Sequence, residues 1–311
     1  MDIIEGWTDR HKADYGHEIQ TVTHTLAQSG LFTDAALAAL IDRHPDEKID
    51  VCTMSSEPGF PDRHCTVDFR GVPGEALIEA AKAGQIWINL REAMTYDPVY
   101  KTLMDATYKD LERCTGQDRF RRNCRGGILI SSPSAKVPYH SDPTMTLLWH
   151  IRGRKRVFVY PATEAFLPDA AYEAILLGEQ DQDVPYRKSY DDYAQVFDLP
   201  DNTLVCWPHT SPHRVENQGY CISMVMEFSS RSSAFRNSVM YMNGLLRRWF
   251  GLNPSWARSS RLGRWIKSPA GHILRRLGAH KSHVRTDKVK FKIDPAAKNH
   301  LRPVPEFIRN F

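Results

Sequence analysis

The sequence predicts a mainly β protein: a small antiparallel barrel or jelly roll over residues 119–230, preceded by an α/β module (1–118) and followed by a basic helical extension (231–311). Three observations carry this. Between Gly126 and Phe228 the chain falls into short β-branched and aromatic runs divided by Gly, Pro, Ser and Asp, the pattern of an all-β barrel or sandwich. Before them, stretches of helical and of strand spacing alternate. After them helical spacing returns with one-sided charge, since residues 231–311 hold 18 of the 41 Lys and Arg but only Asp287, Asp294 and Glu306 of the 37 acids.

In the first module, Thr33 or Asp34 is placed to cap a helix over 35–43, where Leu37, Leu40 and Ile41 repeat at helical spacing and Pro45 ends the run. IDVCTM follows as a strand. Pro73 opens a second helix over 75–83, Gly84 holds the C′ position that ends it, and IWINL (86–90) reads as a buried strand. Asp97-Pro98 starts a longer helix to about residue 114, with Val99, Leu103, Ala106, Tyr108 and Leu111 available for one face. In the barrel the strand runs are GGILISS, VPYHSDPTMTLLWHI, KRVFVYP, TLVCWP and CISMVMEF, and Arg152-Gly153-Arg154 sits between two of them as a hairpin turn would. In the extension Phe235, Val239, Met242, Leu246 and Trp249 fall on one helical stripe, and VKFKI (289–293) alternates like a short edge strand whose lysines discourage aggregation.

At 311 residues, with 41% hydrophobic content, the chain has material for a substantial core. The opening MDIIEGWTDRHKADYGHE carries acids and no apolar h-region, and no later segment has the roughly 18 uninterrupted apolar residues of a membrane span. The expected location is therefore the cytoplasm. Six cysteines (Cys52, Cys65, Cys114, Cys124, Cys206 and Cys221) form no CxxC pair, which disfavours a zinc cage or a disulfide scaffold and fits reduced, mostly buried thiols.

The chemistry lies in YHSDP. Residues i and i+2 of a strand point to one face, so His140 and Asp142 can both reach one ion, and a third ligand can come from PHTSPHRVEN after the strand TLVCWP. His213 is the choice there, with His209 the alternative four residues earlier. Two imidazoles and a carboxylate on one face of a metal leave three positions open, the arrangement of non-haem iron oxygenases. HxD alone is common by chance; the strand before it and the Pro-ended strand and late histidine after it add the weight.

With these elements in order, residues 126–228 resemble the jumonji C and cupin-like branch of the 2-oxoglutarate oxygenases, whose core is a double-stranded β-helix. The matching elements are His140-Ser141-Asp142, TMTLLWHI, Arg152-Gly153-Arg154, KRVFVYP, DNTLVCWP and HRVEN. The resemblance implies iron(II) held by His140, Asp142 and His213, with 2-oxoglutarate and O2 as co-substrates and hydroxylation of a peptide, protein or small-molecule C–H bond as the default outcome. It places Lys155 against the distal carboxylate of 2-oxoglutarate, which an apolar barrel can hold only beside a cation. Thr146, on the same strand face as Asp142, is the candidate for a second co-substrate contact, and His150 reads as a pocket-lining or core residue. CISMVMEF holds no arginine that could replace the lysine.

Residues 161–201 form an acid-rich insert whose carboxylates, on a barrel mouth, would favour a cationic substrate. The basic extension has three expected uses: packing on the acidic body, homodimerisation through its helices, or contact with nucleic acid or an anionic membrane. Two other functional readings remain: a cupin-type metalloenzyme without 2-oxoglutarate, and a non-catalytic regulator that binds an anionic partner through the extension.

Overall fold

The computed structural model describes residues 2–54, 65–117, 122–281 and 287–309. The first module contains strands β1 (Ile4–Glu5), β2 (Gln20–His24), β3 (Ile49–Thr53), β4 (Thr66–Asp68) and β5 (Ile86–Leu90), with helices α1 (Asp9–Asp14), α2 (Asp34–Arg43), α3 (Gly74–Ala83), α4 (Ala93–Tyr96) and α5 (Pro98–Thr115). Then come β6 (Arg122–Ser131), β7 (Lys136–His140), β8 (Met145–Arg152), β9 (Lys155–Val159), α6 (Asp169–Leu177), β10 (Gln195–Leu199), β11 (Thr203–Cys206), β12 (His213–Asn217) and β13 (Cys221–Ser229). The chain ends in α7 (Arg231–Phe250), α8 (Arg261–Arg276), β14 (Asp287–Ile293) and β15 (Leu301–Arg309).

Two sheets face each other. The larger has the order β1-β2-β11-β8-β13-β6-β5-β3-β4-β14-β15, and the smaller β10-β9-β12-β7. Strand β8 shows why they stack: seven of its eight residues are buried, so both of its faces are covered. Met145, Leu147, Trp149 and Ile151 join the core shared with the helices of the first module. On the opposite face Leu148 packs with Val157, Val159, Leu199, Val205, Trp207 and Val215 between the sheets. Each such side chain contributes about 1.5–3 kcal/mol by leaving water. Thr146 and His150 share Leu148's parity and so line this inter-sheet interior.

Most of the predicted elements occur within a residue or two of their expected bounds. Thr33 caps α2 by accepting from the Ala36 amide, and Asp97 caps α5 by accepting from Val99 and Tyr100, as short polar side chains do at orphan amides. Gly84 ends α3, but in extended backbone (φ −100°) rather than the left-handed conformation usual at C′. Its glycine is required by close approach, since a Cβ would lie 2.6 Å from the Ala80 carbonyl oxygen.

Arg152-Gly153-Arg154 is not a hairpin turn. It carries the chain from β8 in the large sheet to β9 in the small one, and β9 pairs with β10 and β12 instead. Gly153 makes the crossing at φ +102°, where a Cβ would meet the Tyr220 carbonyl oxygen at 2.4 Å. The α7 stripe is also rotated from its expected position. Val239, Met240, Tyr241 and Leu245 are buried, whereas Trp249 is 47% exposed. VKFKI lies in β14, which is flanked on both sides, by β4 and β15, so it is no edge.

The basic extension packs on the acidic insert. Glu173 of α6, fully buried, accepts from Arg247 at 2.7 and 3.2 Å and from Arg248 at 3.3 Å. Glu179 accepts from Arg248 and stands 2.9 Å from the His280 ring, and Asp169 accepts from the Trp256 amide at 2.7 Å. Asp191 holds the buried Arg214 at 2.9 Å on the outer face of β12. Much of the insert's acid is therefore engaged within the chain. Glu173→Ala removes the only carboxylate that Arg247 contacts among the described residues, while Arg248 keeps Glu179. With both arginines about a quarter exposed, the expected cost is below the roughly 3–5 kcal/mol of a fully buried pair, about 1–3 kcal/mol, read as a lower midpoint in chemical denaturation; an unchanged midpoint would show that the pairing is incidental.

Candidate metal centre

Strands β7 and β12 lie antiparallel with His140 directly opposite His213. Their rings are 4.1 Å apart between centroids. Asp142, two residues past the end of strand pairing in β7, brings Oδ1 to 3.9 Å from His140 Nε2 and Oδ2 to 3.6 Å from His213 Nε2. One donor atom from each of the three residues lies within 4.8 Å of the others, the metal-sized cluster found among the described residues.

Both rings are oriented for ligation. His140 Nδ1 meets the Pro138 carbonyl at 2.8 Å, and His213 Nδ1 the Ser211 carbonyl at 3.2 Å. A carbonyl can only accept, so Nδ1 carries the proton and the Nε2 lone pair is left facing the cluster. Burial, with the neighbouring His140, pulls His213 down to about 4, so its imidazole is neutral near pH 7, as a metal ligand must be. Trp207 backs the His213 ring at 4.3 Å. Thr210 takes a left-handed φ of +70° in the turn between Pro208 and His213, a conformation costly for a β-branched residue and common where a loop aims functional groups.

His209 is held elsewhere. Its Nε2 is 3.2 Å from the Pro143 carbonyl and 3.4 Å from the Tyr172 hydroxyl. Asn237 of α7 donates to the same carbonyl at 2.6 Å, so α7 and His209 together pin the segment that follows Asp142.

Lys155 lies at the far end of the interior, opposite Asn217 and four residues along β9 from Val159, the partner of His213. Its Nζ crosses to the large sheet and donates to Ser223 Oγ at 2.7 Å. His150 Nδ1 contacts the same hydroxyl at 3.3 Å. No carboxylate among the described residues pairs with this ammonium, and burial lowers it to about 8. Thr146 sits nearer the metal cluster, 3.5 Å from Thr144, whose hydroxyl donates to Glu227 at 3.1 Å. Burial and the Asp142 carboxylate push Glu227 up.

Ser223 and Glu227 escaped the sequence reading. They stand four apart on one face of CISMVMEF, so strand parity marks them as polar groups turned into an apolar interior.

Four buried imidazoles lie on or near this interior: His24, His209 and His213 at about 4 and His150 at about 3, all lowered chiefly by burial. Their folded values lie below the ordinary 6.5, so the unfolded chain takes up protons first, and stability is full above about pH 6.5 and lost as pH falls toward 4. Each contributes up to about 1.4 kcal/mol per pH unit. Metal-free protein is expected to melt progressively lower from pH 6.5 to 4.5, a trend that a flat melting profile would refute.

No helix among the described residues is long and apolar enough to cross a membrane. No family model and no curated protein matches the chain. Among solved structures it is similar to YcfD, a ribosomal oxygenase from Escherichia coli. The complex of YcfD with cobalt and 2-oxoglutarate aligns with 92% of this chain and 74% of that chain, at 11% identity and TM-score 0.48. The complex with cobalt and succinic acid gives the same coverage at 10% identity and TM-score 0.47. Similarity of this size decides neither fold nor activity, and the chemistry rests on the chain's own residues.

Proposed function

We propose that the protein is an iron(II)- and 2-oxoglutarate-dependent oxygenase that hydroxylates a C–H bond of a peptide, protein or small molecule, with His140, Asp142 and His213 as metal ligands. The observation that carries this reading is the pairing of a three-donor cluster with a buried, carboxylate-free ammonium across one apolar interior. A metal site alone would suit any cupin-type enzyme. A buried Lys155 ammonium with a hydroxyl but no carboxylate as its partner is costly to keep and suits a dicarboxylate whose other end reaches the metal.

When bound, iron(II) with 2-oxoglutarate and O2 supplies oxidative decarboxylation to succinate and carbon dioxide coupled to hydroxylation of the substrate. The chain's part is positioning. Nε2 of His140 and of His213 and one oxygen of Asp142 would hold the metal, three protein donors being the number that leaves room for a co-substrate. Lys155 and Ser223 take the distal carboxylate, with Leu148, Val157 and Val205 as the dry wall between. Thr146, Thr144 and Glu227 line the metal end, where they would meet substrate or co-substrate oxygens.

The test is succinate formation from 2-oxoglutarate by protein shown to hold one iron. Iron-dependent succinate, absent in Asp142→Ala, is expected even without the true substrate, as slow uncoupled turnover. Its complete absence would favour the metalloenzyme that does not use 2-oxoglutarate.

A further inference from the structure

Helix α8 presents an unusual outer face. Leu262, Trp265, Ile266, Ile273 and Leu277 are 70%, 62%, 64%, 55% and 75% exposed, and at 100° per residue they fall on one stripe. The opposite face is docked, because Gly271 lies so close to α7 that a Cβ there would be 2.0 Å from the Ser238 carbonyl oxygen. The stripe is thus held outward by the fold. Arg261, Arg275 and Arg276 are exposed on the same helix. From Phe228 to residue 286 the sequence has twelve Lys and Arg and no Asp or Glu.

We infer that α8 is a peripheral membrane anchor that lies in the interface of an anionic bilayer, its stripe among the acyl chains and its arginines on lipid phosphates. The charge pattern selects this occupant. A second copy meeting stripe to stripe would set Arg276, and Arg261 on the stripe's flank, against the same residues, with no acid in α7, α8 or their connection to pair them. Nucleic acid would pair the arginines but leave more than half of each apolar side chain in water. A bilayer with anionic headgroups satisfies both, as for other amphipathic interfacial helices with tryptophan at the boundary. Trp249, Phe250 and Leu252, also about half exposed or more, add apolar surface where α7 ends. An anchored oxygenase would meet substrates at the membrane surface.

The experiment is flotation of the full chain with vesicles of phosphatidylcholine alone and of phosphatidylcholine mixed with phosphatidylglycerol. Binding needs neither metal nor 2-oxoglutarate, so its result is independent of the proposed activity. The expected result is binding to the anionic vesicles only, weakened by salt. Arg261→Gln and Arg276→Gln should each lower partitioning by roughly fivefold, and Ile266→Glu should abolish it while leaving the melting temperature unchanged. If Ile266→Glu disturbs folding, the arginine variants carry the test. The inference is overturned if the protein stays unbound to anionic vesicles, if it binds RNA and not vesicles, or if it forms a dimer that Ile266→Glu dissolves.

Discussion

His213→Ala and Asp142→Ala proteins are expected to lose bound iron and to form succinate at the rate of iron in buffer. Removing a group that merely orients a ligand costs about 10–100-fold in metal affinity or activity, and loss of one of only three ligands exceeds that. The informative comparison is His209→Ala. Because His209 contacts Pro143 and Tyr172 rather than the donor cluster, that variant should keep one iron per chain. Metal analysis of the three proteins checks this directly. Full iron content in His213→Ala with loss in His209→Ala would transfer the ligand role to the earlier histidine.

Lys155→Met is expected to act in opposite directions on co-substrate binding and on stability. A buried carboxylate left without its cation loses about 2–5 kcal/mol, so the apparent Kd for 2-oxoglutarate should rise by at least about thirtyfold, measured by titration of metal-loaded protein. Without 2-oxoglutarate the same lysine is a burden. Its folded value of about 8 lies below the ordinary 10.5, so the unfolded chain holds the proton more tightly. The cost is full below about pH 8 and fades as pH rises toward 10.5. At neutral pH it amounts to roughly 3 kcal/mol. The methionine variant should therefore melt several degrees higher when free of ligand, and Ser223 keeps its contact with His150. A variant that is less stable and binds 2-oxoglutarate as the wild type does would remove Lys155 from the site.

Strands and capped helices were legible because their signals are local. IWINL, KRVFVYP and TLVCWP alternate or run apolar over lengths that fit a strand, and Thr33 and Asp97 announce helix starts by their own chemistry. The two-residue period also predicts that His140 and Asp142 converge, and they do, although Asp142 lies beyond the end of β7. What escaped was decided at a distance. Arg152-Gly153-Arg154 has the composition of a hairpin turn, and whether the next strand pairs with the last or joins the opposite sheet depends on partners as far away as His213 and Gln195. The buried stripe of α7 is set by α6 and α8, which bury Met240, Tyr241 and Leu245 fully, leave Met242 and Leu246 part-buried and leave Trp249 exposed. The insert's acids could be counted, but their partners Arg247 and Arg248 lie about seventy residues on. Lys155's lack of a carboxylate partner, on which the functional reading leans most, is visible only when the interior is assembled.

The central claim is that one interior holds both a metal and the keto-acid that chelates it. The most direct measurement is an anaerobic titration of iron(II)-loaded protein with 2-oxoglutarate, followed by the visible charge-transfer absorption of a chelated keto acid. A saturable band, absent in His213→Ala and shifted to higher 2-oxoglutarate concentration in Lys155→Met, is the predicted result. No band from protein carrying one iron per chain would contradict it.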